Sequence, residues 1–465
     1  MLQSIVRTAL LLCCTLVHAF ASAQTVSGKL SAAFKTFQDD PQLHSGIASL
    51  YVLDAKTGEV VFEKNGLVGL APASTQKVIT SASAYELLGK GFRYKTSFAY
   101  DKKEGEASLL ILPGGDPTLG SWRWSTTKEE VALREVTHAV KKTGITSFRS
   151  VTVDNGGWEA EAIPDGWMWQ DIGNYYGAGP AKLNWRENQF DVTLKSGSKI
   201  GDPVTIQGIK PAITGYQLQS ELTAAAAGTG DQAYIYFPLQ AATGTIRGTI
   251  PVNQKSFTIS GAMPDASKQF VSTLQESLAQ VGIKLPEQAA VHGKPQRSPE
   301  SYTTFYTITS PPLDSIVYWF NRKSINLYGE ALLKTMAYKS TGTGTTDAGV
   351  DVVRTFWKQK GIPDAELNIV DGSGLSPLNR VTTHAQVSVL LYAREQPWFD
   401  GFYASLPVYN GMKLKSGTIH GAKGFCGYHK AKDGKEYIVS FLVNNYNGAA
   451  PALVKKMYTV LDVLK

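Results

Sequence analysis

The clearest capacity for chemistry in this sequence lies in Ser74 and Lys77, a hydroxyl and an amine three residues apart in the run Leu70-Ala71-Pro72-Ala73-Ser74-Thr75-Gln76-Lys77-Val78-Ile79. On a helix, a residue three positions on lies one turn along the same face, so the amine reaches the hydroxyl and, when neutral, takes its proton. Such a pair is a nucleophile with its base. The pattern alone is weak: Ser196 and Lys199 repeat it in a Gly/Ser-rich polar stretch that reads as a turn. Context separates the two. Pro72 and Ala73 precede a serine suited to cap a helix, and Val78, Ile79, Ala82 and Tyr85 recur at helical spacing until Leu88-Gly89. A buried helix opening at Ser74 is expected.

Two further motifs follow in order. Ser324-x-Asn326 falls between two helical stretches, one carrying Leu313, Ile316, Val317, Trp319 and Phe320, the other Leu327, Ala331 and Leu332. Lys415-Ser416-Gly417-Thr418 lies on an expected strand, and Lys195-Ser196-Gly197 is a decoy for it. The ordered set resembles the Ser-x-x-Lys, Ser-Asp-Asn, Lys-Thr-Gly triplet of penicillin-binding proteins and class A β-lactamases.

The elements that must hold these residues can be read from periodicity. Leu30, Ala33, Phe34 and Phe37 make an amphipathic helix that Asp39-Asp40-Pro41 ends, and residues 47–53 and 59–63 form a hairpin leading to the Ser74 helix. Residues 413–418, 425–430 and 437–444 read as three antiparallel strands, the last two joined at Asp433-Gly434. Leu453, Val454, Met457, Val460, Leu461 and Leu464 then form a terminal helix. The two ends read as halves of one α/β domain, 24–92 and 287–465. Residues 93–286 read as a strand-rich insertion with a smaller unit nested near 195–255, punctuated by turns such as Asp154-Asn155-Gly156-Gly157 and Pro164-Asp165-Gly166. Thr341-Gly342-Thr343-Gly344 reads as a helix-to-helix loop, and Asp371-Gly372-Ser373-Gly374-Leu375-Ser376-Pro377 as a tight turn shaping a site wall.

Over nearly its whole mature length the chain resembles the class C low-molecular-mass penicillin-binding proteins, the D-alanyl-D-alanine carboxypeptidase/endopeptidase family of the DacB type. Besides the three motifs, the resemblance rests on Gly115-Asp116-Pro117-Thr118-Leu119, Gly166-Trp167-Met168-Trp169-Gln170-Asp171, Tyr175-Tyr176-Gly177-Ala178, Leu327 and Glu330, and Asp371 to Ser376. The long insertion between the first two motifs is also a mark of that family. Ser416 stands where the family usually has Thr, which keeps the hydroxyl, and Ile325 occupies a variable position.

The resemblance implies the penicillin-binding protein/serine β-lactamase-like transpeptidase fold, an α/β fold with an antiparallel sheet flanked by helices. It implies a D-Ala-D-Ala carboxypeptidase, with D,D-endopeptidase action an additional capacity, working on peptidoglycan stem peptides and acylated by β-lactams at Ser74. Lys77 is then the base, Ser324 the proton relay and Asn326 the group that holds Lys77 and the substrate amide. Lys415, Ser416 and Thr418 bind the terminal carboxylate beside Gly417, and the N–H groups of Ser74 and Thr418 form the oxyanion hole. Trp167, Asp171 and Tyr176 meet the distal end of the stem, where a carboxylate suits the ammonium of a diamino acid. A β-lactamase or esterase on the same fold, and a catalytically silent wall-binding scaffold, remain the alternatives.

Residues 1–23 carry one early charge, Arg7, then an apolar run and Ala21-Ser22-Ala23, the pattern of a cleaved signal peptide. A periplasmic or equivalent envelope protein without a transmembrane anchor is expected. Cys13 and Cys14 sit inside that apolar run, so the mature chain holds only Cys426, read as a core strand residue, and no internal disulfide. A formal charge of +7 from scattered Lys and Arg argues against nucleic acid as a partner. The histidines lack metal-ligand spacing, so neither metal nor cofactor is called for.

Overall fold

The computed structural model describes residues 25–103, 105–239, 241–287, 290–293 and 298–465. The expected signal peptide lies outside the described residues. The helix expected at Ser74 forms in two parts: a 3-10 turn, Ala73–Gln76, and helix α2, Lys77–Leu88, which Gly89 ends at φ 86°. The preceding helix α1 is Val26–Gln38. Ser74 is not the expected cap. Pro72 occupies that position and no side chain caps the turn, because the Ser74 hydroxyl is directed to Lys77 instead.

Helix α2 is apolar or small on every side, so it belongs inside the protein rather than on its surface. Nine of its twelve residues are buried. Its hydroxyls are satisfied internally: Ser83 donates to the Ile79 carbonyl and accepts the Trp357 indole N–H, and Thr80 donates to the Gly372 carbonyl. Around it pack α3 (Leu313–Lys323), α4 (Asn326–Thr341), α5 (Thr346–Gln359) and α6 (Thr383–Arg394).

The chain ends combine into one antiparallel sheet, as the sequence suggests. Its strands are β1 (Ile47–Asp54), β2 (Val60–Lys64), β3 (Val408–Tyr409), β4 (Met412–Ile419), β5 (Ala422–Lys430) and β6 (Glu436–Asn444), in the order β3-β4-β5-β6-β1-β2. Strand β1 runs antiparallel to β6, with Ile47 opposite Asn444 and Asp54 opposite Tyr437. One face is covered by α1 and the terminal helix α7 (Ala450–Leu461), through Phe34, Phe37, Phe441, Leu453 and Met457. The α6 helix packs against β1 and β6.

The middle of the chain holds its own sheets. Strands 95–103, 106–112 and 148–154 are extended on both sides by Thr303–Thr309 and Ala290–Gly293. That sheet therefore closes at residue 309, beyond the expected return at 287. Two helices, Glu129–Thr143 and Ala266–Ala279, pack on it through Leu133, Val136, Val140, Phe270, Leu274 and Leu278. Reading this region as strand-rich overlooked both helices. Their apolar positions do recur every three or four residues, but frequent turn residues dominate the surrounding sequence. Strands between 189 and 262 enclose a separate core of Phe190, Val192, Ile235, Ile246, Ile250 and Ile259.

Phe441 sits with its ring centroid 5.2 Å from Phe37 and 5.9 Å from Phe34, fully buried between sheet and helices. Phe441→Ala is expected to cost about 3–5 kcal/mol by removing that contact and leaving a cavity, read as a lower urea midpoint; an unchanged midpoint would show that the two layers do not depend on it.

Candidate active site

The 3-10 turn puts Lys77 Nζ 2.9 Å from Ser74 Oγ. The same nitrogen lies 2.6 Å from Asn326 Oδ1 and 2.7 Å from the Ser373 carbonyl. Those two are fixed acceptors. A neutral amine has two N–H groups for them and one lone pair left, which faces the Ser74 hydroxyl. Lys77 is completely buried. Burial, then the like charge of Lys415, holds its pKa well below the usual lysine value against the opposing pull of Asp371 and Glu330.

Lys415 Nζ donates to Ser324 Oγ at 3.0 Å and to the Ser416 carbonyl at 2.8 Å. Its pKa is pushed down to about 7, chiefly by burial and further by Lys423. Ser324 occupies the two-residue break between α3 and α4 with a left-handed backbone (φ 57°), and Ala73 just before Ser74 is also left-handed (φ 47°). Non-glycine residues hold such conformations at a cost of about 1–3 kcal/mol each, so the surrounding packing must impose them. At Gly417 a side chain would not fit: a Cβ there would stand 2.6 Å from the Pro72 carbonyl oxygen and 2.9 Å from Ser74 N. Glycine lets β4 close on the Ala73–Gln76 turn. Thr418 lies at the exposed end of this strand.

The turn itself is braced from two directions. Thr75 Oγ1 donates to the Pro72 carbonyl and accepts from Gln386 of α6, whose Oε1 accepts from Ser440 of β6. Gln76 Nε2 donates to the Asp371 carbonyl and to Asp371 Oδ1. The Asp371 carboxylate also accepts from the Gly374 and Ser376 N–H groups, Asn379 Nδ2 and Trp167 Nε1. Five donors thus fix the loop whose Ser373 carbonyl binds Lys77.

The insertion residues divide. Tyr176 contributes its carbonyl, which accepts from Asn326 Nδ2 at 2.8 Å, and its side chain neighbours Asp171. Burial raises the pKa of Asp171, and Tyr176 partly offsets this. Trp167, expected to meet substrate, is buried with its N–H committed to Asp371, so its contact with the site runs through the loop. The decoy Ser196 is buried and donates to the Pro251 carbonyl. Cys426 is buried on β5, and the same burial pushes its thiol up to about 12. Among the described residues no group of three or more His, Cys, Asp or Glu could hold a metal ion, and no helix is long and apolar enough to cross a membrane.

Sequence reasoning missed the importance of Asp371 and gave Glu330 no role, because their partners come from segments up to 295 residues away. It also passed over Lys423, because the strand was expected to start at Phe425, whereas β5 starts at Ala422.

A helix-flanked antiparallel sheet with a serine, two lysines and an asparagine at one edge defines a serine acyl-transfer enzyme of the penicillin-binding fold. Residues 30–463 match the D-Ala-D-Ala carboxypeptidase 3 (S13) family, to which the chain belongs. It is a serine-type D-Ala-D-Ala carboxypeptidase. It is 27% identical to the D-alanyl-D-alanine carboxypeptidase of Actinomadura sp. (strain R39), across 91% of this chain and 82% of that protein. It is 22% identical to D-alanyl-D-alanine carboxypeptidase DacB of Haemophilus influenzae, across 84% and 83%. The crystal structure of penicillin binding protein 4 (dacB) from Haemophilus influenzae superposes with a TM-score of 0.76 at 20% identity, covering 94% of this chain and 99% of that one.

Glu330, fully buried on α4, accepts the Gly372 N–H. Burial and the charge of Asp371 raise its pKa from 4.5 to about 8. The folded protein therefore holds this proton more tightly than the unfolded chain. The stabilisation is complete below pH 4.5 and is lost as pH rises through about 8. Glu330→Gln, a mimic of the protonated form, is expected to show its stability relative to the wild type increasing from pH 5 to pH 9. Urea midpoints across that range test this, and a constant difference would rule it out.

Proposed function

We propose that the enzyme removes the terminal D-alanine of peptidoglycan stem peptides through an acyl-enzyme on Ser74. The observation that carries this reading is the buried Lys77 amine, 2.9 Å from Ser74 Oγ and oriented by two fixed acceptors, Asn326 Oδ1 and the Ser373 carbonyl. Ser74 Oγ attacks the carbonyl carbon of the penultimate D-alanine as Lys77 takes its proton. The N–H groups of Ser74 and Thr418 receive the oxyanion. Ser324, polarised by Lys415, delivers a proton to the leaving nitrogen; the C–N bond breaks and D-alanine departs. Water then hydrolyses the ester and restores Ser74. A β-lactam enters by the same attack and stays attached when water reaches the ester slowly.

Asn326 orients Lys77 and the substrate amide, while Lys415, Ser416 and Thr418 bind the terminal carboxylate beside Gly417. Asp171 and Tyr176 meet the far end of the stem, where the carboxylate suits the ammonium of a diamino acid. Trp167 acts by holding the Asp371 loop. Cross-link cleavage by the same chemistry is a further capacity. The apolar run and Ala21-Ser22-Ala23 support export to the periplasm or an equivalent envelope space. The chain divides into a catalytic half built from its two ends and an insertion from residue 93, a division supported by the strand pairing on each side.

Wild-type protein exposed briefly to benzylpenicillin is expected to gain one adduct mapping to the Ser74 peptide, and to release D-alanine from a D-alanyl-D-alanine peptide. Ser74→Ala is expected to lose both by at least about 1,000-fold. An adduct that persists on intact-mass analysis of the Ala variant would overturn the assignment.

A further inference from the structure

Glu187 is a fully buried carboxylate with no place in the proton transfers proposed for Ser74. It is the middle one of three consecutive left-handed residues, and its Oε1 accepts from Ser121 Oγ at 2.6 Å, Arg123 Nε at 2.8 Å and the Tyr328 hydroxyl at 2.7 Å. Arg123 Nη2 donates to Oε2 at 3.1 Å, which completes a bidentate pair. Burial, then the Glu187 charge, holds the Tyr328 pKa well above its usual value, so that hydroxyl remains a donor. A buried carboxylate with these donors is committed to one position.

Its partners reach both helices that flank the second motif. Tyr328 lies on the first turn of α4, two residues beyond Asn326. The Arg123 guanidinium lies 5.3 Å from the Trp319 ring of α3 and 5.4 Å from that of Trp122. The adjacent Trp124 stacks on Tyr328, with centroids 6.2 Å apart, and donates its indole N–H to Ser315 of α3. Only Ser324 and Ile325 separate α3 from α4, and Ser324 is left-handed, so the link has little slack. The angle between the two helices therefore decides where Ser324 Oγ meets Lys415, at 3.0 Å, and where Asn326 Oδ1 meets Lys77, at 2.6 Å. A displacement of about 1 Å in a reacting group costs on the order of 100-fold in rate.

We infer that Glu187 is a positioning residue which, through Tyr328 and Arg123, locks α3 against α4 and so holds Ser324 where it can hand a proton to the leaving nitrogen. The inference rests on the acyl-enzyme reading above. Its test pairs a D-alanyl-D-alanine peptide with the thioester that has sulfur in place of the scissile nitrogen, because a thiolate departs without a proton and an amine does not. For both substrates kcat/KM reports acylation. Tyr328→Phe, which loses only the hydroxyl, is expected to lower it about tenfold for the peptide and less than about twofold for the thioester. Glu187→Gln, which leaves Arg123 without its charge partner, is expected to show the same selectivity. The double variant should be no more selective than the stronger single one, since both act through one contact. Equal losses on the two substrates, which poorer folding alone would give, overturn the proposal, as does an unchanged kcat/KM in both single variants. A wild type that cleaves neither substrate would instead remove the Ser74 reading, and this inference with it.

Discussion

Everything at this site depends on keeping the Lys77 amine out of water with no carboxylate paired to it. An isolated buried charge is so costly that the group gives up its proton instead. A neutral amine is what a base for a serine hydroxyl requires. The same burial that shifts the proton goes with an α2 that is buried along most of its length and wrapped by four helices. An ordinary amphipathic surface helix would leave Lys77 hydrated, protonated and unable to accept. Asn326 and Ser373 are neutral acceptors, so they orient the nitrogen without restoring the charge that a carboxylate would favour.

Orienting one amine draws on distant parts of the chain. Asp371 gathers donors from the nucleophile turn, from its own loop and from Trp167 of the insertion. Helix α4 is gripped by the insertion at three places: Asn326 by the Tyr176 carbonyl, Tyr328 by Glu187, and Lys334 by Glu159 and the Glu161 carbonyl. Glu187 is itself fully buried and held by Ser121 and Arg123, within three consecutive left-handed residues, Arg186, Glu187 and Asn188. Such a turn persists only where its surroundings enforce it. Residues 159–187 therefore brace the side of the candidate site formed by α4, which begins with Asn326.

Much of the architecture is legible in the sequence. The 3.6-residue period marks α1, α2, α3, α4 and α7, the period of two marks the hairpins at both ends, and Gly89 and Asp433-Gly434 punctuate them. These signals are local, and local rules hold where an element has one apolar face. They weaken in the insertion, where Glu129–Thr143 and Ala266–Ala279 lie between many turn residues. They weaken again at β5, whose first residues, Ala422 to Gly424, carry little strand pattern yet pair with β4. The Ser74 cap failed for a different reason. The turn's geometry is dictated by β4 and the Asp371 loop pressing on it, and the hydroxyl is directed to Lys77.

The sequence by itself determined the Ser74–Lys77 contact and the order of the three motifs, because Ser74 and Lys77 are coupled by the spacing of a single turn. It also determined that both ends of the chain share one sheet, because their alternating apolar patterns complement each other. Only the tertiary structure decided the electrical state of the site. The depressed affinity of Lys77 for a proton, the five donors on Asp371, the commitment of Trp167 and the placement of Lys423 beside Thr418 all arise between segments remote in sequence or across a strand pair. Burial and electrostatics act through space, whereas the periodicities of a sequence report only what a residue does within its own helix or strand.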